Sequence, residues 1–115
     1  MIDLREYKSL IKQLLASENE KDPNWKWSIK SIGKKKVLIQ WGYLDYLEEQ
    51  YPKNCFSITT EKDKLLGDTV TWRHPTGDMM SFATIGFRPG DNARTIEEAI
   101  KLAVSGISSY AHTRY

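Results

Sequence analysis

The chain has little of what catalytic and metal sites are usually built from. Its 115 residues include one cysteine, Cys55, and two histidines, His74 and His112. A lone cysteine excludes an internal disulfide and fits a reducing compartment. Zinc sites need several soft ligands at converging spacings, and these three residues lie in distant segments that match no such pattern. No metal and no cofactor is expected. Apolar runs extend over only a few residues, far short of the roughly 20 that cross a bilayer, and the start MIDLRE lacks the basic and apolar regions of a signal peptide. The expectation is a cytoplasmic protein with no membrane partner.

An excess of one charge is missing too. The 17 Lys and Arg residues face 15 Asp and Glu, and a net charge of +2 is too even to mark a nucleic-acid binder. The segments KLLGD and RPGDN hold one glycine each and carry no Walker or dinucleotide pattern. Cys55 has no nucleophile elbow or Cys-His signature around it, and a pairing with His74 has no sequence support. The carboxylate pairs Asp63 with Asp68 and Asp78 with Asp91 fall in expected turns, where Asp serves to cap backbone N–H groups. Arg94 and Thr95 open the last expected helix and would suit an anion, but Glu97 and Glu98 in the same turn oppose it. With no nucleophile, base or metal set converging, the chain is not expected to be an enzyme.

What the sequence does contain is pattern. In WKWSIKSIGKKKVLIQWGYL, residues 25–44, Trp25, Trp27 and Ile29 alternate with Lys26, Ser28 and Lys30, and Val37, Ile39, Trp41 and Tyr43 return on the far side of Gly33. Alternation of this kind makes two half-buried strands, and the glycine between them offers a turn with positive φ. Further strands are expected over residues 55–60, 69–73 and 79–87, with HPTGD as a hairpin loop between the last two and EKDKLLGD as a loop before residue 69. The mixed run MMSFATI suggests a strand buried on both sides.

Helices bracket the strands. Asp3 and Glu6 have capping-box spacing, and Leu4, Tyr7, Ile11, Leu14 and Leu15 form an apolar stripe, so a helix is expected over about 4–17 with SENEKDPN as the connection to the first strand. Thr95 and Glu98 form a second capping box ahead of Ile96, Ala99, Ile100, Ala103 and Ile107, which predicts a helix to about residue 108, fraying at Gly106. A short helical turn over residues 45–50 is expected from Tyr43, Leu44, Leu47 and Tyr51. No repeat or change of composition divides the chain. The fold class is therefore α+β, a single domain over residues 1–115, with an antiparallel sheet of four to five strands flanked by an N-terminal and a C-terminal helix. Trp27, Ile39, Trp41, Trp72, Ile100 and Ala103 are expected in the core; the side of the sheet on which each helix lies is left open.

This layout, with its Trp-rich meander and a closing helix that begins TIEEAIKLAV, resembles the small αβα-sandwich proteins encoded by bacteriophages. The resemblance implies a phage or mobile-element origin; it implies no reaction and brings no functional residues.

Two binding functions remain. In the first, the chain is a small non-catalytic protein-binding module, an inhibitor of a host-defence or nucleic-acid-handling complex, with Tyr43, Tyr46, Tyr51, Tyr110 and Tyr115 as candidate interface anchors. In the alternative, nucleic acid binds the basic hairpin 25–44, through Lys26, Lys30, Lys34, Lys35 and Lys36, with no carboxylate among its charged residues. Strict alternation sends Trp and Lys to opposite faces, which weighs against combined stacking and phosphate contact unless the tip lysines act alone.

Overall fold

The computed structural model describes residues 2–43 and 55–114. The N-terminal segment starts as a 3-10 turn, Leu4–Tyr7, and continues as helix α1, Lys8–Lys21. Five strands follow, β1 (Trp25–Ile32), β2 (Lys36–Tyr43), β3 (Cys55–Asp63), β4 (Gly67–Arg73) and β5 (Met79–Thr84), and the chain closes with helix α2, Ile96–Arg114. The sheet is an antiparallel meander in the order β1-β2-β3-β4-β5. This is the expected α+β class, with strands joined by neighbours in sequence as short connections favour.

Strand register explains the core. Trp27 lies opposite Trp41, Ile29 opposite Ile39, Val37 opposite Ile58, Ile58 opposite Trp72, and Val70 opposite Ala83. Period-2 alternation therefore gathers these side chains on one face. Both helices cover that face: α1 packs on β1, α2 packs on β3, β4 and β5, and the helices touch each other. Trp27, Ile39, Trp41, Trp72, Ile100 and Ala103 are all buried, as expected. At one end of the core Trp25 stacks on Trp41 with ring centroids 5.2 Å apart, and Phe56 meets Trp27, Trp72, His74 and Tyr110 in tilted or edge contacts. Such contacts add directionality to the area the rings bury.

Several boundaries differ from the sequence reading. Helix α1 runs through SENEK to Lys21 because the polar residues of its last turns are docked: Glu18 accepts a 2.7 Å hydrogen bond from Ser108 Oγ, and Asn19 bonds Trp27 at both N–H and C=O. Asp3 caps the first turn by accepting from the Arg5 N–H, and Glu6 does not complete a box. The stretch EKDKLLGD is mostly strand, since the Lys62–Asp68 and Asp63–Gly67 pairs extend β3 and β4 up to a tight turn. Asp63 Oδ1 caps the Leu65 and Leu66 N–H groups there, at 2.7 and 2.9 Å, and Gly67 takes φ 76°. Gly33, by contrast, is not among the glycines of positive φ; its N–H simply closes the β1–β2 turn on the Lys36 carbonyl.

Strand β5 is not buried on both sides. A register shift opposite Trp72 and Arg73 puts Met80 in a bulge, after which Ala83 faces the core and Phe82 the opposite side, 45% exposed. Buried on both sides are β4, where Thr69, Val70, Thr71 and Trp72 are all enclosed, and β3 at Phe56, Ser57 and Ile58. Helix α2 does not fray at Gly106 but runs on to Arg114, beside Trp72. Its capping box is real but shifted: Thr95 Oγ1 accepts the Glu98 N–H at 3.2 Å, while Glu98 Oε2 reaches back to the Arg94 N–H at 2.8 Å. The turn expected over residues 45–50 lies outside the described residues.

Candidate functional site: the β5 end

Of the site expected from sequence, the structure describes the lysines. Tyr46 and Tyr51 lie outside the described residues, as does the Tyr43 side chain. Lys34, Lys35 and Lys36 are exposed at the β1–β2 turn. There the Lys34 carbonyl accepts the Leu4 N–H and the Lys35 carbonyl accepts the Thr60 N–H, so the turn is anchored by its backbone and leaves its amines outward. Lys26 and Lys36 project from the face opposite the helices. Lys30 sits at the β1 bulge, near enough to Cys55 for its charge to oppose the rise in thiol pKa that burial causes. Trp25 and Trp27 are 2% exposed, so the hairpin presents lysines without an indole to stack on a base.

Two groupings look catalytic until their hydrogen bonds are followed. Ser108, His112 and Asp22 fall in a row, with Ser108 Oγ 3.3 Å from His112 Nδ1 and His112 Nε2 3.8 Å from Asp22. Yet Nδ1 lies 2.8 Å from the Ser108 carbonyl, which can only accept, so this nitrogen carries the proton; the Ser108 hydroxyl donates to Glu18 instead. A donor cannot activate the serine, and the group acts as a polar tie between α1 and α2. Cys55 and His74 are separated by the sheet: His74 packs on Phe56 and Tyr110 on the helix side, while Cys55, one residue from Phe56, points the other way. Among the described residues no three His, Cys, Asp or Glu side chains converge as a metal ion requires.

The signal that sequence reading missed lies in which apolar residues stay outside. The large apolar side chains left exposed among the described residues lie on β5 (Met79, Met80, Phe82), in the loop after it (Phe87), in the β3–β4 turn (Leu65, Leu66) and on α2 (Leu102). Leu65 is 87% exposed and Phe87 79%. Isolated exposed leucines are ordinary, but a one-sided collection is not. Three adjoining depressions share Phe82, Asn92 or Leu102. The groove between β5 and α2, about 300 Å³, is floored by Val70, Trp72, Ala83, Ala99 and Ala103. A second hollow of about 400 Å³ lies between Leu66, Phe82 and residues 88–92.

This end is held rigid. Arg88 donates through Nη1 to the Leu65 carbonyl at 3.2 Å and through Nη2 to the Leu66 carbonyl, joining the β3–β4 turn to the loop after β5. Asp91 secures the same arginine, bonding Nη2 at 3.1 Å and the backbone N–H at 2.8 Å, and the guanidinium holds its carboxyl below the usual carboxylate range. Gly86, at φ 152°, makes room: a Cβ there would stand 2.7 Å from Asp91 Oδ2. Arg94 lies 5.1 Å above the Phe87 ring and shields one of its faces. The acids Asp63 and Asp91 are engaged in local caps and pairs, and beside Leu102 the surface is bordered by Glu98 and Lys101. Nothing in the sequence alone marked it, because Phe82 takes its outward position from the Met80 bulge and the place of β5 at the sheet edge.

The fold and this surface define a two-layer α+β domain with one apolar sheet edge. Comparison of the chain with protein-family models, curated proteins and solved structures returns no match.

Proposed function

We propose that the chain is a non-catalytic protein-binding domain whose contact surface is the β5 end. The observation that carries this reading is that the exposed large apolar side chains among the described residues lie on β5, on α2 and on the two turns that Arg88 joins. A braced surface loses little conformational entropy on binding, so apolar burial there is retained as affinity. The reading that sequence favours, an inhibitor that occupies a surface of a larger nucleic-acid-handling complex and is carried by a phage or mobile element, is a particular form of this function. It requires a rigid apolar surface and no reaction.

The test is capture of partners from lysate with the unaltered chain and with a Leu65→Glu, Phe87→Glu double variant, each with and without nuclease. Both positions are exposed, so circular dichroism of the variant should match the parent. Nuclease-resistant capture that disappears in the variant is the expected result.

A second reading, direct binding of nucleic acid, has one observation of its own: Lys26 and Lys36 share the helix-free face, with Lys34 and Lys35 at its end. Phosphate contacts of that kind weaken steeply with salt, whereas an apolar interface does not. Salt-sensitive binding to bare DNA or RNA, lost when Lys34, Lys35 and Lys36 become Ala and kept in the Leu65, Phe87 variant, would replace the first reading by this one.

A further inference from the structure

The two edges of the sheet are treated differently. At β1 the outward N–H and C=O of Trp27 are both taken by the Asn19 amide, at 2.6 and 3.1 Å, and the Trp25 N–H by the Asp22 carbonyl, so α1 and the residue after it cover the first half of that edge. Lys26, Lys30 and a bulge between Ile29 and Ser31 guard it further. At β5 the closure is partial. Asn92 accepts the Thr84 N–H at 3.1 Å, and the Thr84 carbonyl accepts from Asn92 and Ala93. Thr84 therefore points its backbone outward, and alternation points the N–H and C=O of Phe82 outward as well. The sequence Met79–Thr84 has neither charge nor proline to discourage pairing.

We infer that a second copy of this chain occupies the β5 edge, in an antiparallel two-fold pairing centred near Phe82 that joins two sheets into one. The inference rests on reading the β5 end as a contact surface. The length of the free edge selects the occupant. Between the Met80 bulge and the Asn92 strap it runs only from Ser81 to Ala83, too short a ladder to offset the ordering of a free extended peptide. A second copy arrives with its own edge already ordered. It also brings apolar cover, because the β5–α2 groove is lined by both Phe82 and Leu102, so Leu102, 51% exposed, lies beside the pairing centre. A two-fold there sets Leu102 against its own counterpart, an isologous contact.

The carboxylates are compatible with this arrangement. The outward side of α2 near the groove carries Glu98, Lys101, Leu102 and Ser105. With antiparallel helices meeting at Leu102, Glu98 falls opposite the Ser105 turn of the second copy, so the two carboxylates stay apart and each faces a hydroxyl donor. The short ladder makes the pairing dependent on concentration.

Sedimentation equilibrium over a concentration series up to about the millimolar range tests it, since pairings held by few contacts fall in the micromolar-to-millimolar range. The average mass should rise from the 13.3 kDa of one chain toward twice that value. Leu102→Glu, and separately Phe82→Lys, should hold the mass at one chain with an unchanged circular dichroism spectrum. Hydrogen exchange at the Phe82 amide should slow as the parent chain is concentrated. A parent that stays at one chain throughout, or a dimer that neither variant disturbs, overturns the inference. The Leu65→Glu, Phe87→Glu variant separates the two readings. Partner capture lost in that variant while the parent remains a monomer removes the dimer and leaves the binding function standing; a β5 dimer without partner capture does the reverse.

Discussion

Gly106 and Trp72 are in direct contact across the helix–sheet boundary, and a Cβ added at Gly106 would stand 2.6 Å from the indole Nε1 and 3.1 Å from Cε2. Helix α2 keeps a glycine in its interior, at about 1 kcal/mol against alanine, because the ring of β4 occupies the space. Trp72 is 7% exposed and touches both Phe56 and Tyr110, so it has little freedom to withdraw.

Gly106→Ala should therefore destabilise the fold even though it improves helix propensity. Overpacking of this kind costs about 1–3 kcal/mol, and the loss should appear as a lower urea midpoint with an unchanged slope. A raised midpoint would show that Trp72 moves aside freely.

Asn19 provides the second prediction. Its amide plays the part of a missing strand for Trp27, donating to the carbonyl and accepting from the N–H. Asn19→Ala strands both backbone groups beside a buried indole, and unsatisfied groups cost about 1–3 kcal/mol each where water cannot reach them. Partial access to solvent puts the expected loss near the lower end. Asn19→Asp keeps the acceptor but turns a carboxylate oxygen toward the Trp27 carbonyl, so at neutral pH it should be no more stable than the alanine variant. Thermal melts of the three proteins decide the order.

Cys55 is the third. Burial pushes its thiol pKa up, with Lys30 opposing the effect. Because the thiolate is the reactive form, the folded protein should react with iodoacetamide at neutral pH more slowly than the urea-unfolded chain. Lys30→Ala removes the opposing charge and should slow the folded protein further. A faster reaction in the folded state would mean an activated thiol and would reopen a catalytic role.

Much of this architecture was legible in the sequence, and the parts that were not share a cause. The WKWSIK and KVLIQW alternations located β1, β2 and their buried face because period-2 burial writes itself directly into residue order. The Thr95 and Glu98 box located the start of α2 for the same local reason. What failed depended on partners remote in the chain. SENEK reads as a connection until Ser108 and Trp27 supply its hydrogen bonds, and Gly106 reads as a helix end until Trp72 fills the space beside it. The candidate site was least legible of all. MMSFAT has the composition of a buried strand, and only its place at the sheet edge, with the bulge at Met80, turns Phe82 outward. Residue type, which singles out the lysines and tyrosines, does not report which edge of a sheet is left open.

The last prediction concerns acid. Asp91 titrates below the ordinary carboxylate value chiefly because its side chain bonds Arg88; burial works the other way, and the Arg88 N–H and Thr84 add smaller downward contributions. A carboxyl whose pKa is lower in the folded state stabilises that state above its unfolded pKa, near 3.9. The contribution is then lost as pH falls through the folded value. The loops 63–67 and 86–92 should accordingly keep their protection from hydrogen exchange down to about pH 4 and lose it below, ahead of the core strands. Arg88→Gln removes both the charge that lowers the pKa and part of the grip on the Leu65 and Leu66 carbonyls. In that variant the loops should exchange faster already at neutral pH, and the acid step should flatten. Asp91→Asn separates the two effects: it abolishes the step in loop 86–92 while leaving Arg88 free to hold the turn, and what step remains in loop 63–67 belongs to Asp63, whose carboxyl the Leu66 and Leu65 N–H groups hold low. If the parent shows no acid step in these loops, neither Asp91 nor Asp63, whose carboxyl the Leu66 and Leu65 N–H groups likewise hold low, fixes the β5 end.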